Sequence, residues 1–221
     1  MYKVNEVFET IQGEGSFTGA PAIFIRLQGC PVGCSWCDTK HTWEIKPELK
    51  QSLGDIVIKT AETEHWAAVT PADLLQLFVA KGYQAKHVVI TGGEPCMFDL
   101  NPLCEALHNA GYSTQIETSG TFDIKAPAQT WVTVSPKVNM AGGYKVLQSA
   151  LDRANEIKHP VAMQKHIDEL LQLLQHTDTA AKLIYLQPIS QQQRATELAI
   201  AMCKQHNWRL SVQVHKYIGI S

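Results

Sequence analysis

Short runs of β-branched and aliphatic residues recur along this chain, separated by segments with helical spacing, and that alternation limits the possible folds more than any other feature of the sequence. The runs cover residues 22–27, 87–91, 113–117, 131–135, 182–187 and 210–215, with a weaker one at 157–161. Between two of them, Thr70-Pro71-Ala72-Asp73 reads as a helix start: a threonine N-cap, a proline at the first helical position and an acid in the first turn, with Gly82 as the stop. Helical spacing also covers 99–110, 144–155, 165–176 and 191–206, and Gly111 closes the first of these. Strand alternating with helix predicts an α/β fold with a parallel sheet covered by helices. A closed eightfold βα barrel needs ~250 residues. Six or seven strands in 221 residues therefore predict an incomplete TIM-type barrel.

With 45% apolar residues, the chain can bury one substantial core, and no Gly/Ser-rich or Pro-rich stretch divides it. One domain over residues 1–221 is expected, with 43–69, which has no clean period, as an insertion. The net charge of −2 and scattered Lys and Arg give no basic stripe, so nucleic acid is not the expected partner. The first ten residues alternate polar and apolar without the apolar stretch of a signal peptide, and no run approaches the ~20 apolar residues that span a bilayer. A cytoplasmic protein without membrane attachment is the expectation. In a reducing compartment, three of six cysteines crowded into eight positions point to a metal site rather than to disulfides. Cys96, Cys104 and Cys203 lie far apart and are expected to be core thiols.

The crowded cysteines lie in Gly29-Cys30-Pro31-Val32-Gly33-Cys34-Ser35-Trp36-Cys37-Asp38-Thr39, directly after the first strand, where sites in α/β folds gather. Three thiolates on so short a loop can converge on one metal centre, with Gly29 and Gly33 permitting the tight path. A four-iron cubane held by three thiolates keeps one iron open for a small molecule. No fourth cysteine is near in sequence. The rival is zinc, because Cys30, Cys34, Cys37 and His41 could form a Cys3His tetrahedron in a non-enzymatic interaction module.

Cys-x3-Cys-x2-Cys with Trp36 before the last cysteine resembles the signature of the radical S-adenosylmethionine superfamily. The resemblance implies a [4Fe–4S] cluster on Cys30, Cys34 and Cys37, whose open iron chelates S-adenosylmethionine and whose electron cleaves it to a 5′-deoxyadenosyl radical. Thr91-Gly92-Gly93-Glu94-Pro95 then resembles the superfamily's Gly-Gly-Glu motif, which holds the methionine amino group. Glu117-Thr118-Ser119-Gly120, Ser135-Pro136-Lys137 and Gln187-Pro188 also end strands, on the rim where the cluster would sit. Near the start, Thr10-Ile11-Gln12-Gly13-Glu14-Gly15 places an amide and a carboxylate between glycines, and Arg26 interrupts an apolar strand. A buried Arg needs an anion, either an acid such as Glu14 or a substrate carboxylate.

Taken together, Ile11 to Gly15, Phe24 to Cys30, Cys37-Asp38-Thr39, Thr91 to Pro95, Glu117 to Gly120 and Ser135 to Lys137 are similar to the 7-carboxy-7-deazaguanine synthase family over nearly the whole chain. The resemblance implies ring contraction of 6-carboxy-5,6,7,8-tetrahydropterin with loss of ammonia, on the route to queuosine and other 7-deazapurines. Hydrogen abstraction at pterin C6 would start the reaction, and S-adenosylmethionine would be regenerated. It further implies that Ile11, Gln12, Gly13, Glu14, Arg26, Thr91, His215 and the Ser221 carboxylate meet the pterin. Trp36, Cys37, Asp38, Gly93, Glu117, Ser135, Pro136, Lys137 and Gln187 would meet S-adenosylmethionine, and Thr39 a Mg²⁺ ion. A homodimer and a flavodoxin or ferredoxin as electron donor are expected from the family, and 43–69 is read as a covering loop, a dimer contact or the donor's docking surface. A second enzymatic reading, a glycyl-radical activase, would need an open, peptide-sized mouth. The embedded Arg26 and the paired Gln12 and Glu14 suit a small carboxylated ring instead.

Overall fold

The computed structural model describes residues 1–58, 61–189 and 192–219. Its strands are β1 (Tyr2–Ile11), β2 (Pro21–Leu27), β3 (Ala67–Val69), β4 (His87–Gly92), β5 (Ser113–Thr118), β6 (Trp131–Val134), β7 (Glu156–Val161), β8 (Leu183–Pro188) and β9 (Arg209–Leu210). They form one sheet in the order β3-β1-β2-β4-β5-β6-β7-β8-β9. From β2 to β9 all neighbours are parallel. Since β3 and β9 are the sheet's two edges, the barrel does not close. The incomplete barrel and its seven parallel strands are as expected. Two further strands, β1 and β3, extend it in the antiparallel sense.

The helices are α1 (Leu53–Ile58), α2 (Pro71–Lys81), α3 (Asn101–Asn109), α4 (Gln148–Arg153), α5 (Gln164–Leu174), α6 (Gln193–His206) and α7 (Val214–Ile218). The start of α2 is a capping box. Thr70 Oγ1 accepts from Asp73 N at 3.2 Å and Asp73 Oδ2 accepts from Thr70 N at 2.8 Å, satisfying two N–H groups that the helix itself cannot. Gly82 ends it at φ +68°.

Side chains alternate along each parallel strand with period two. Ile25, Ile90, Ile116, Ile157 and Leu186 point to the helices and are fully buried. The other face carries Arg26, Thr91, Glu117, Lys158 and Gln187 into the barrel. The core therefore lies between sheet and helices, in one cluster under β1 to β5 and another under β6 to β8. Cys96, Cys104 and Cys203 are buried as expected.

Three expectations need correction. The stretch 210–215 is not a strand: β9 ends at Leu210 and α7 begins at Val214. There the backbone is diverted to the N-terminal loop, with Val214 N donating to Gly13 O at 3.0 Å. The helix expected over 144–155 is only Gln148–Arg153, because Leu147 N bonds Gly120 O and fixes the preceding chain in an extended form. The segment 43–69 is not irregular: it holds α1 and β3, and β3 pairs with β1. Buried Gln28 ties its start to the barrel, donating to the carbonyls of His41 and Glu44 at 3.0 and 2.7 Å.

Both mouths of the barrel are furnished by connections. The β1–β2 hairpin, with a 3-10 turn at Gly15–Phe17, fills the lower end: Phe17 stacks on His87 at 4.2 Å and meets Trp131 edge-on at 5.3 Å. The segment after β9 spans the open side. Ser211 Oγ accepts from Gly15 N at 3.1 Å below, and Lys216 Nζ stands 3.5 Å from Asp38 Oδ2 above.

Candidate active site

A cavity of about 350 Å³ opens at the carboxyl ends of the strands, a size suited to small molecules. Cys30, Cys34 and Cys37 all line it, and none forms a disulfide. Gly29 and Gly33 take φ of +111° and +72°, which lets the loop turn its thiols onto one face. A side chain on Gly142 would collide with the Pro31 carbonyl, so the 138–143 loop packs on the cysteine loop from behind. Cys37 Sγ accepts from Thr39 N and from Trp43 Nε1, both at 3.4 Å. Such donors orient a sulfur that ligates a metal. Burial pushes the Cys30 thiol up to about 11 and raises Cys34 also, against the pull of Lys137. Without a cation Cys30 and Cys34 hold their protons; bound iron would displace them.

Three sulfur donors, with N–H groups directed at one of them and no fourth cysteine in the cavity, fit a cubane that keeps one iron open. They do not make the zinc tetrahedron. Among the described residues no three His, Cys, Asp or Glu converge as a single-ion site, and His41 Nδ1 lies 3.4 Å from Glu62 Oε2.

Beside the cysteines, Gly93 lies on the wall, and an added Cβ would strike the carbonyl of Gly29. Only glycine lets the two loops approach so closely. Glu94 carries its carboxylate into the protein, accepting from Cys96 N (2.9 Å), Thr118 Oγ1 (2.6 Å), Ser119 N (2.8 Å) and Ser119 Oγ. That clamp holds the ends of β4 and β5 together, and since Gly93 N donates to Leu27 O at 2.9 Å, it is the carbonyl of Gly93 that the turn can offer a ligand. Lys137 Nζ donates to Ser135 Oγ at 2.6 Å and stands 4.9 Å from the Trp36 ring centroid. Burial lowers the Lys137 pKa. Trp36, Asp38, Thr39, Ser135 and Gln187 line the same cavity; Pro136 is buried behind Ser135 and does not.

The expected pterin residues Ile11, Gln12, Gly13, Glu14, Arg26, Thr91 and His215 also line this cavity, and Ser221 lies outside the described residues. Arg26 Nε is ion-paired at 2.8 Å with Glu6, across the β1–β2 ladder, and not with Glu14. Glu14 is joined instead to Lys158, whose Nζ lies 2.6 Å from Glu14 Oε2 and 3.0 Å from Glu117 Oε2. Burial alone would raise the Glu14 pKa, but the Lys158 ammonium and hydrogen bonds from Lys158 and Gln213 hold it down at about 2. At Glu117 burial wins and lifts the carboxyl to about 7 despite Lys158. Burial and Glu14 act oppositely on His215, with a net lowering.

Sequence reasoning missed Lys158, Gln213, Trp43 and the stacked pair Phe8 and Phe24, all lining the cavity. Lys158 carries no motif; its signal is a lone cation within the strand-like run 157–161.

A partial parallel barrel with three cysteines and a double-glycine turn on adjacent strand ends defines a radical S-adenosylmethionine enzyme, and the model of the Radical SAM superfamily matches residues 24–137. That class carries a [4Fe–4S] cluster and S-adenosylmethionine. The chain belongs, within it, to the 7-carboxy-7-deazaguanine synthase family. It is 58% identical to the 7-carboxy-7-deazaguanine synthase of Escherichia coli (strain K12), over 100% of this chain and 99% of the relative. Identity to the Buchnera aphidicola (subsp. Schizaphis graminum) protein of that name is 46%, over 99% of each chain. Identity to the one from Synechocystis sp. is 36%, over 99% of this chain and 93% of the relative. A solved structure, described as the crystal structure of QueE from Escherichia coli, superposes with a TM-score of 0.95 at 58% identity, covering 97% of this chain and 94% of that one.

Proposed function

We propose that the chain is a lyase that converts 6-carboxy-5,6,7,8-tetrahydropterin to 7-carboxy-7-deazaguanine with loss of ammonia, for queuosine and related 7-deazapurines. The observation that carries this reading is one small cavity joining the three cysteines to a polar floor of Gln12, Glu14, Arg26 and Thr91. A peptide-sized mouth, as a glycyl-radical activase requires, is not what these walls form. When bound, the cluster and S-adenosylmethionine supply hydrogen-abstracting radical chemistry.

The chain's own part is to bind, orient and exclude water. Cys30, Cys34 and Cys37 hold the cluster. Gly93 offers its carbonyl to the methionine end, while Trp36, Asp38, Ser135, Lys137 and Gln187 surround the nucleoside, with Pro136 stiffening that turn, and Glu117, tied to Glu14 through Lys158, stands where nucleoside and pterin meet. Arg26, its Nε taken by Glu6, receives the substrate carboxylate through its remaining N–H groups. Ile11, Gln12, Gly13, Glu14 and Thr91 hold the pterin, closed in by His215 and by the Ser221 carboxylate. Thr39 would supply one oxygen to a Mg²⁺ ion beside the substrate carboxylate, since a hydroxyl, a carboxylate and waters suit that hard ion.

The protein acts as a cytoplasmic homodimer and takes its electron from a flavodoxin or ferredoxin. No described helix is long and apolar enough to cross a membrane. The 43–69 segment covers the site, since Trp43 from its first turn reaches Cys37. The test is an anaerobic assay of the reconstituted protein with the carboxy-tetrahydropterin, following ammonia and product absorbance. Turnover that requires S-adenosylmethionine and vanishes in Cys34→Ala is expected. Conversion by the parent without S-adenosylmethionine would refute the reading.

A further inference from the structure

Lys158 is the cavity-lining cation whose charge is most shut away: its side chain is 6% exposed, against 17% for Glu14 and 15% for Glu117. A ligand entering the cavity thus meets the two carboxylates and not the ammonium behind them. The three groups come from separate parts of the chain: Glu14 from the hairpin loop, Glu117 from β5 and Lys158 from β7. Each carboxylate is fixed at its second oxygen too, Glu14 Oε1 by Gln213 Nε2 and Glu117 Oε1 by Gln115 Nε2, both at 2.9 Å.

An ionised carboxylate oxygen can accept two hydrogen bonds. Above about pH 7, where Glu117 is ionised as Glu14 is, each of these four oxygens uses one such site on the protein, so acceptor capacity remains on the cavity side. A rigid pair of partly exposed carboxylates suits a planar heterocycle with adjacent N–H donors, such as the 2-amino-4-oxopyrimidine edge of a pterin. The pair cannot hold itself together. Fully buried Glu156 adds a third carboxyl, whose Oε2 accepts from Ser16 N at 2.9 Å while Oε1 finds no hydrogen-bond donor among the described residues. Like charges this close and this buried repel strongly. Lys137, after β6, and His215, from the C-terminal segment, are the other titratable groups acting on Glu14, and neither is ion-paired with it.

We infer that Lys158 is a positioning residue for the reaction, whose ammonium fixes Glu14 and Glu117 as one acceptor pair that receives the donor edge of the pterin. The inference rests on the function proposed above and adds to it the device that makes the floor specific for such an edge.

The test compares Lys158→Met, which keeps the length and removes the charge, with Lys158→Arg, which restores the charge. In Lys158→Met the KM for the carboxy-tetrahydropterin rises at least tenfold while kcat changes less than threefold, and the acid limb of kcat/KM moves up by a pH unit or more as the bare carboxyls take up protons. Lys158→Arg recovers most of both. Calorimetry of the pterin on cluster-free protein shows the same tenfold loss in Lys158→Met, a readout independent of radical chemistry. Should Lys158→Met fail to fold, Lys158→Gln, which keeps a hydrogen-bond donor but not the charge and leaves both carboxyls in place, carries the same comparison. A KM, pH profile and pterin affinity equal to the parent's would overturn the inference. If the parent binds the pterin but does not turn it over, the proposed reaction fails while the role of Lys158 is still measured by binding.

Discussion

Replacing Glu94 tests the idea that this side chain of the glycine-rich turn is a brace rather than a ligand-binding group. Its carboxylate, 1% exposed, accepts from two backbone N–H groups, those of Cys96 and Ser119, and from the hydroxyls of Thr118 and Ser119. In Glu94→Ala the hydroxyls have other partners: Ser119 Oγ has Thr121 Oγ1 at 2.8 Å, and the Thr118 hydroxyl, which accepts from Gly120 N at 3.2 Å, can turn its proton to the neighbouring Cys96 sulfur. The two backbone N–H groups do not, and an unsatisfied buried donor costs about 1–3 kcal/mol. The expected loss is therefore about 2–6 kcal/mol. Glu94→Gln keeps one acceptor oxygen and turns an NH2 toward the other donors, so about half that loss is expected. Equilibrium urea denaturation of cluster-free protein measures it. At a slope of about 3 kcal/mol per molar, the Ala variant's midpoint falls by roughly 0.7–2 M. Amide exchange at Cys96 and Ser119 accelerates in parallel. Equal midpoints for the Ala and Gln variants, or a loss under about 1 kcal/mol in Glu94→Ala, would refute the brace.

Two other substitutions probe the packing around the site. His159 is buried on the helix side of β7, neither ring nitrogen finds a hydrogen-bond partner among the described residues, and burial lowers its pKa from 6.5 to about 3. The unfolded chain binds this proton first, so the folded state loses stability from this group as pH falls from 6.5 toward 3, by up to about 1.4 kcal/mol per pH unit. His159→Leu removes that dependence: denaturation at pH 7, 6 and 5 should show the variant gaining on the parent as pH drops, and a pH-independent difference refutes the assignment. Gly93→Ala drives a methyl into the Gly29 carbonyl and to 3.1 Å from Cys30 Cβ. Iron bound per chain and stability, by about 1–3 kcal/mol, should both fall; an iron load equal to the parent's would show that the loops can part without cost.

What sequence could reveal was set by how local the signal is. The strand ends, the cysteine loop and the α2 start are written in contiguous residues, and each lies where expected. The alternation over the first ten residues is visible too, yet alternation alone does not say that β1 runs antiparallel beside β2. Residues 210–215 carry strand-forming types, but only Leu210 and Ser211 reach the β8 backbone, both at Leu186, and the hairpin loop holds Ser211, Gln213 and Val214 by side chain or backbone. Lys158 was illegible because its role depends on partners 144 and 41 residues away. Arg26 shows the opposite limit: the need for an anion was plain, while the choice of Glu6 follows from the β1–β2 register that sets those two residues opposite each other.

The hairpin that fills the lower mouth and the segment that spans the open side bear on how the chain comes off the ribosome. Gly13 and Gly15 find their partners, Val214 and Ser211, only after some two hundred more residues have been joined. Throughout synthesis the floor beneath the cysteines has no counterpart on its outer flank. A nascent chain can fold most of its strands early, but the chamber beneath the cysteines is sealed only once residues 211–214 have emerged.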